Sequence, residues 1–373
     1  MQIDELLRIM VDAKASDLHL KVGNYPMFRI NEELTSIAKI APDWEDSPLS
    51  PLRTEEFAAT LMNQAQLSRF KETREMDLAY SVSGLGRFRV NILYQRGTVS
   101  IAFRSIPFDI PKFEELNVPP GVKDLAEEVR GLVLVTGAAG SGKSTTLAAM
   151  IDYINSTRKD HIITIEDPIE FLHRDKVGIV TQREVGMDTL SFSDALRHIL
   201  RQDPDVVLIG EMRDVETVAA AITAAETGHL VLSTLHTIDA PQTIERIINF
   251  FPPYQHQQLR MQLSLLLRGV ISQRLLPRQD QKGLIPAVEV MKGTAFVRKL
   301  IVENNIYQIT NAIAEGAFYG MQTFNQSLAS LYQQGRISSE DALAAASNPE
   351  ELRLAFKGIY SGTGQDFEFE NNT

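Results

Sequence analysis

Cysteine is absent from the 373 residues and tryptophan occurs once. Without thiols there are no disulfides, no thiolate zinc sites and no cysteine nucleophile. Long apolar runs are missing too: none approaches the ~18 residues that a membrane-spanning helix needs. Basic charge is the scarcer sign, with Lys+Arg 37 against Asp+Glu 48 and a net charge of −11. A surface-wide basic field for gripping nucleic acid is therefore not expected, although a local groove is compatible with this balance. The opening, Met1 to Arg8, carries acids where a secretory leader would carry only bases. The expectation is a soluble cytoplasmic protein. What is present is ordinary for a folded chain, 44% hydrophobic and 23% charged. The length suggests about two domains, each able to bury its own core.

Residues 1–106 read as a small α+β domain. Ile3, Leu6, Leu7 and Met10 recur at helical spacing, so the chain is expected to begin with an amphipathic helix. The segment 41–53 holds three prolines, two serines and three acids, and reads as an exposed loop. Leu78, Tyr80 and Val82, then Phe88, Val90 and Ile92, alternate as strands do, with Gly84 and Gly86 between them for a turn. Pro107, Pro111, Pro119, Pro120 and Gly121 follow within fifteen positions. That density predicts a helix-free linker over 107–121.

The second domain, 122–373, has another texture. Leu132–Val135, Ile162–Ile165, Val206–Ile209 and Leu230–Leu232 are short apolar runs without alternation, as strands buried on both faces of a parallel sheet would be. Between them lie helical segments. Leu147, Met150, Ile151 and Ile154 share one helical face, and Asp214 can cap an Ala-rich helix that stops before Gly228. The alternation predicts a doubly wound α/β core. From about residue 252 the chain reads as all-helical, with N-cap chemistry at Thr323, Ser338 and Asn348 and a polar, acidic frayed tail over the last ten residues.

The strongest signal is Gly137-Ala138-Ala139-Gly140-Ser141-Gly142-Lys143-Ser144-Thr145, directly after one strand and directly before a helix. This is the G-x-x-x-x-G-K-[ST] phosphate loop in the context it requires. Glycines turn backbone N–H groups inward around the phosphates, and the helix N-terminus adds partial positive charge. Lys143 would reach the β- and γ-phosphates, and the Ser144 hydroxyl would bind Mg²⁺. No Asn-Lys-x-Asp base-reading motif follows, which favours ATP over GTP. Asp175-x-x-Gly178 matches the GTPase D-x-x-G, but so does Asp280-x-x-Gly283, and the pattern is too short to count.

Hydrolysis also needs an acid to position or deprotonate water, at the carboxyl end of a strand beside the loop. Glu211 follows the strand run Val206–Ile209, and Glu166 with Asp167 follows Ile162–Ile165. Glu211 is expected one strand over from the loop as the more important acid and a metal ligand. The residues leave undecided which glutamate is base and which binds metal. His229 and His236 bracket the fourth strand, and a histidine at a strand's carboxyl end could sense the γ-phosphate.

Several further segments resemble one family, the PilT-type retraction motors of type IV pili within the secretion-ATPase superfamily. Ala15 to Leu20 looks like its N-terminal opening. Gly86 to Asn91 and Phe103 to Pro107 look like its N-domain arginine segments. Ile165 to Glu170 is similar to its Asp box, Gly210 to Asp214 to its Walker B, Thr227 to Thr237 to its His box, and Gly320 to Phe324 to its C-terminal pattern. The resemblance spans nearly the whole chain. It implies a PAS-like α+β N-terminal domain joined to a RecA-like P-loop ATPase core with a helical C-terminal region. It also implies a homohexamer at the cytoplasmic face of the inner membrane, peripheral and not inserted, that works with an inner-membrane pilus platform protein and a sister retraction or extension ATPase.

By the same resemblance, Arg87, Arg89 and Arg104 are candidates to reach a neighbouring subunit's nucleotide, where an arginine in trans is worth roughly 10³–10⁵ in rate. The linker would act as the hinge: a switch from 1:99 to 99:1 needs about 5.5 kcal/mol, which two or three γ-phosphate contacts of ~1.5–3 kcal/mol would supply. Two departures stand out. The loop reads Gly-Ala-Ala-Gly where the family usually has Gly-Pro-Thr-Gly. The retraction segment, commonly A-I-R-N-L-I-R-E, is here Phe296 to Glu303, with Val302 in place of its second arginine. Three functions follow: a retraction motor, an accessory PilU-like subunit with weak activity of its own, or a nucleic-acid translocase on the same core, against which the acidic balance weighs.

Overall fold

The computed structural model describes residues 2–31, 33–41, 47–106, 110–281 and 283–358. The frayed tail, residues 42–46 of the exposed loop and residues 107–109 of the linker lie outside the described residues. The chain divides into two compact units, Met1–Asp109 with Glu170–Leu172, and Ile110–Ile169 with His173–Thr373.

In the first unit the opening helix spans Ile3–Asp12, and the four residues at helical spacing are its buried face. The N–H of Gln2 donates to Glu5 Oε2 at 2.9 Å, which satisfies one of the helix's orphan donors. Six strands form an antiparallel sheet: β1 (Asp17–Lys21), β2 (Met27–Ile30), β3 (Glu33–Ser36), β4 (Glu75–Val82), β5 (Gly86–Gln95) and β6 (Thr98–Ile106), in the order β3-β2-β1-β6-β5-β4. Phe88, Val90 and Ile92 point into the core with Phe28, Phe57 and Phe103, each worth about 1.5–3 kcal/mol of burial. Gly86 already belongs to β5, so the turn is Ser83 to Leu85.

The second unit is built on seven strands: β7 (Gly131–Thr136), β8 (His161–Glu166), β9 (Ile179–Glu184), β10 (Val206–Ile209), β11 (Leu230–Leu235), β12 (Leu267–Pro277) and β13 (Leu284–Lys292). Their order is β13-β12-β7-β11-β10-β8-β9, and every pair is parallel except β12 with β13. The unalternated runs are explained by their two destinations. Leu132 and Leu134 join one core with the Ala-rich helix Val215–Glu226, while Val133 and Val135 join another with Leu147, Met150, Ile151 and Ile154 of the helix Lys143–Thr157. Asp214 accepts from the N–H of Thr217 at 2.8 Å and so starts the Ala-rich helix.

Two expectations are corrected. The chain is not all-helical after residue 252, because β12 and β13 complete the sheet there. Their patterns hide them: Ser272 and Gln273 are buried polar residues in mid-strand, Ser272 bonded to Thr136 of β7 and the Gln273 NH₂ to Thr146 in the helix that follows. The segment 107–121 is not free of helix either. Phe113–Leu116 makes one turn, and Pro120 opens the helix Pro120–Ala126 at its first position, where a missing N–H costs nothing. Thr323, Ser338 and Asn348 each cap the helix that follows them. No described helix is long and apolar enough to cross a membrane.

Candidate nucleotide-binding site

The phosphate loop leaves the carboxyl end of β7 and feeds the helix Lys143–Thr157, with Gly137 (φ +143°), Gly140 (φ +76°) and Gly142 (φ +89°) all at positive φ. No backbone carbonyl among the described residues takes the N–H of Gly140, Gly142 or Ser144. First-turn amides of this kind are the ones an anion satisfies. Ala138 and Ala139 complete the bend, and Ser141 Oγ is buried without a hydrogen-bond partner. Lys143 is 8% exposed, and its ammonium donates to the carbonyls of Gly137 (3.0 Å) and Ala138 (2.8 Å). The lysine is folded over its own loop.

The missed strand β12 supports this loop from below. Thr136, the last residue of β7, donates its hydroxyl to Ser272 Oγ at 3.0 Å. Gln273 Nε2 donates to Thr146 Oγ1 at 2.8 Å, one turn into the helix. The signal that could have found both residues is a polar pair inside an otherwise apolar stretch.

The acids stand at the same edge of the sheet, since Ile209 of β10 lies beside Ser233 of β11 and Ile165 of β8. Neither is one strand over from the loop. β11 lies between β7 and β10, so Glu211 follows the second strand from β7, about 10 Å across the sheet, and Glu166 ends the third. Strand order in a parallel sheet is set by crossovers that the sequence does not mark, and that is why the expectation missed.

The backbone around Glu211 is stapled to its neighbours: Gly210 N–H to Ile165 O at 2.8 Å, Met212 N–H to Thr234 O at 3.1 Å, and Thr234 Oγ1 to Gly210 O at 2.6 Å. Its side chain is 12% exposed and ion-paired to Arg213, whose guanidinium is held above its ordinary pKa first by the hydrogen bond to Glu211. His236 Nε2 lies 3.5 Å from Glu211 Oε2. Glu166 Oε1 accepts from Thr164 Oγ1 at 2.6 Å and from Gln182 Nε2 at 3.2 Å. Gln182, on β9, had not been singled out; its amide oxygen accepts from the N–H of His173, which fixes the NH₂ end toward Glu166.

His229 does not join this group. It precedes β11, at the opposite edge of the sheet, six strand residues or about 17 Å from the carboxyl end. Its Nδ1 lies 3.0 Å from Thr227 Oγ1 and 2.9 Å from Ala224 O, so the ring closes the preceding helix rather than serving the loop of its own chain.

The three arginines lie in the first unit. Arg104 Nε donates to Asp17 Oδ1 at 2.9 Å while its side chain stays 70% exposed. Arg89 faces Arg104 directly across β5 and β6. Arg87, two residues back on the same face of β5, donates to Ser81 Oγ at 3.2 Å. With Arg29 also opposite Asp17, one row across four strands carries three cations to one acid. Like charges directly opposite destabilise a sheet.

Comparison with known proteins places the whole arrangement. A family model described as type II/IV secretion system protein matches residues 81–346. The type IV pilus ATPase PilU of Pseudomonas aeruginosa is 45% identical over 96% of this chain and 92% of its own length. The type IV pilus retraction ATPase PilT of the same organism is 45% identical over 94% of this chain and its full length. A crystal structure of the pilus retraction motor PilT with bound ADP superposes with a TM-score of 0.86 at 46% identity, covering 95% of this chain and 99% of that one. A phosphate loop on β7, acids on β10 and β8, and similarity along almost the full length lead to one conclusion: the chain belongs to the type II/IV secretion system protein family.

Proposed function

We propose that this chain is an ATP-hydrolysing motor that powers type IV pilus retraction. The observation that carries the reading is the pairing of an anion-ready phosphate loop with a nearly buried Glu211 carboxylate at the same edge of one sheet. Retraction itself comes from the relatives named for it, PilT and PilU.

In this reading Lys143 leaves the carbonyls of Gly137 and Ala138 when phosphates enter the loop, exchanging neutral acceptors for charged ones. The main-chain amides of Gly140, Gly142 and Ser144 hold the phosphates. Glu211, with Glu166 beside it, orients and deprotonates the attacking water. Arg213 and His236 hold Glu211 from the solvent side, with side chains 65% and 59% exposed. An ion pair whose cation faces solvent is worth less than a fully buried one. A charge-assisted contact to phosphate is worth ~1.5–3 kcal/mol. The γ-phosphate therefore draws the Arg213 cation off the carboxylate as it arrives, and the base is released when there is something to hydrolyse.

Ser144 and Glu211 both offer oxygen, the donor Mg²⁺ prefers, and a site of one or two protein ligands plus phosphates suits that ion. Bound there, Mg²⁺ would neutralise charge on the β- and γ-phosphates. Arg89 and Arg104, held side by side with too few acids, are suited to reach the nucleotide of a neighbouring subunit in a homohexamer, with Arg87 behind them. The hexamer would act at the cytoplasmic face of the inner membrane on the pilus platform protein, alongside a sister ATPase.

Val302 supports a second reading, an accessory motor subunit. It stands where the family's retraction segment has an arginine and is 46% exposed, while Leu300 and Ile301 beside it are buried. The missing cation is thus lost from a surface and not from the core.

Two measurements test the proposal. Glu211→Gln should keep ADP affinity and lose ~10²–10⁴ in turnover; wild-type turnover in that variant would remove Glu211 from the chemistry. In a strain lacking its retraction motor, this chain should reduce surface pili and restore twitching, and failure to do either would defeat the retraction reading.

A further inference from the structure

Glu289 lies in the middle of β13 and is 4% exposed, a buried carboxyl group outside the phosphate loop. The N–H of Ala240, first residue of the helix Ala240–Asn249, donates to its Oε1 at 2.9 Å. Ser272 is the register partner of Glu289 across β12. That same Ser272 Oγ accepts from Thr136, the residue immediately before Gly137. Four residues before Ala240 is His236.

We propose that Glu289 is a positioning residue for ATP hydrolysis, whose buried carboxylate anchors the turn that carries His236. The proposal rests on the reading of His236 given above. Through Ala240 it fixes the far end of the turn 236–240. Asp239 caps the same helix by accepting from Gln242 N–H at 2.8 Å, so the turn is held at two successive residues.

The charges around Glu289 make the anchor sensitive to pH. Burial raises the carboxyl to about 7, against the lowering by the Ala240 N–H; Asp239 raises it further, and Arg274 and Ser272 lower it. The helices Ile309–Ala314 and Phe324–Gln333 that also pack on β13 carry no Asp, Glu, Lys, Arg or His. Glu245 and Arg246 of the helix Ala240–Asn249 are exposed. The ionised carboxylate accepts the Ala240 hydrogen bond with its full charge, and the protonated acid holds it more weakly.

The test is steady-state ATP hydrolysis by the full chain from pH 6 to 8.5, with ADP binding measured in parallel. Wild-type kcat should rise through about pH 7. Glu289→Gln keeps the shape but not the charge. At pH 8 it should lose about 10-fold in kcat, the equivalent of one charge-assisted hydrogen bond, with ADP affinity within about threefold and the rise through pH 7 gone. Wild-type turnover with a wild-type pH profile in Glu289→Gln overturns the proposal. So does a joint loss of ADP binding and turnover, which would mark a residue that only supports the fold. His236→Ala is measured alongside: unchanged turnover there overturns the role given to His236, while the Glu289→Gln profile judges the anchor itself.

Discussion

Adding one methyl group to Gly137 tests the phosphate loop at its tightest point. A Cβ built there stands 2.5 Å from the carbonyl oxygen of Gln273 and 2.5 Å from Ser141 Oγ. The serine hydroxyl can rotate away, but the Gln273 carbonyl belongs to β12, which is paired on both sides by β7 and β13 and cannot retreat. The backbone at φ +143° adds strain for any residue with a side chain. Overpacking costs about 1–3 kcal/mol and the strained backbone another ~1–3 kcal/mol. The loop escapes this only by leaving its cradle, so a total of about 2–6 kcal/mol falls on nucleotide affinity, roughly 30-fold to 10⁴-fold.

Gly140→Ala is the control. Its φ is +76°, but a Cβ there meets nothing within 4 Å, so only a left-handed backbone penalty of about 1–2 kcal/mol applies. ADP binding by calorimetry, with thermal unfolding of the free proteins to show that both fold, separates the two. Gly137→Ala binding ADP within threefold of wild type, or Gly140→Ala losing as much as Gly137→Ala, would refute the reasoning.

Asp17→Asn probes the arginine row. Burial pushes the Asp17 carboxyl up, but hydrogen bonds from Ser16 and Arg104 and the charges of Arg104 and His19 outweigh it and hold the group below 3.8. A depressed folded pKa means stability present above the unfolded value and lost as pH falls through the folded one. Arg104 is largely exposed, so the variant should be less stable by only about 0.5–1 kcal/mol at pH 7, with the difference closing below pH 3.8 in urea unfolding. Val302→Arg should leave stability within about 0.5 kcal/mol, since the site is half-exposed. The same substitution should improve rescue of twitching in the strain lacking its motor, and equal rescue by both chains would clear Val302 of any part in retraction.

What was legible in the sequence was what physics concentrates locally. The runs at β7, β8, β10 and β11 stood out because each is apolar on both faces, and Lys143 with its glycines could be read because one loop contains the whole cradle. β12 and β13 were lost because their interior polar residues look like surface until their partners are known. Gln273 reads as polar, yet it is 2% exposed, with its amide on Thr146. β9 failed in the same way, since Gln182 is there to orient Glu166. His229 was within reach of simple arithmetic: two histidines bracketing a six-residue strand must stand at opposite edges of the sheet. That β11 separates Glu211 from the loop lay beyond such arithmetic, because either strand order satisfies the same crossovers.

The order of the strands has a chemical consequence. Had β10 been the immediate neighbour of β7, a carboxylate at its end would stand within one strand spacing, about 5 Å, of the phosphates, and two like charges would meet with nothing between them. With β11 interposed, the residue that follows β11 is His236, whose Nε2 lies 3.5 Å from Glu211 Oε2. The position of His236 is set in turn by the 236–240 turn, and that turn is anchored on β13 through Ala240. A strand that the sequence hides thus fixes where the residue beside Glu211 comes to rest.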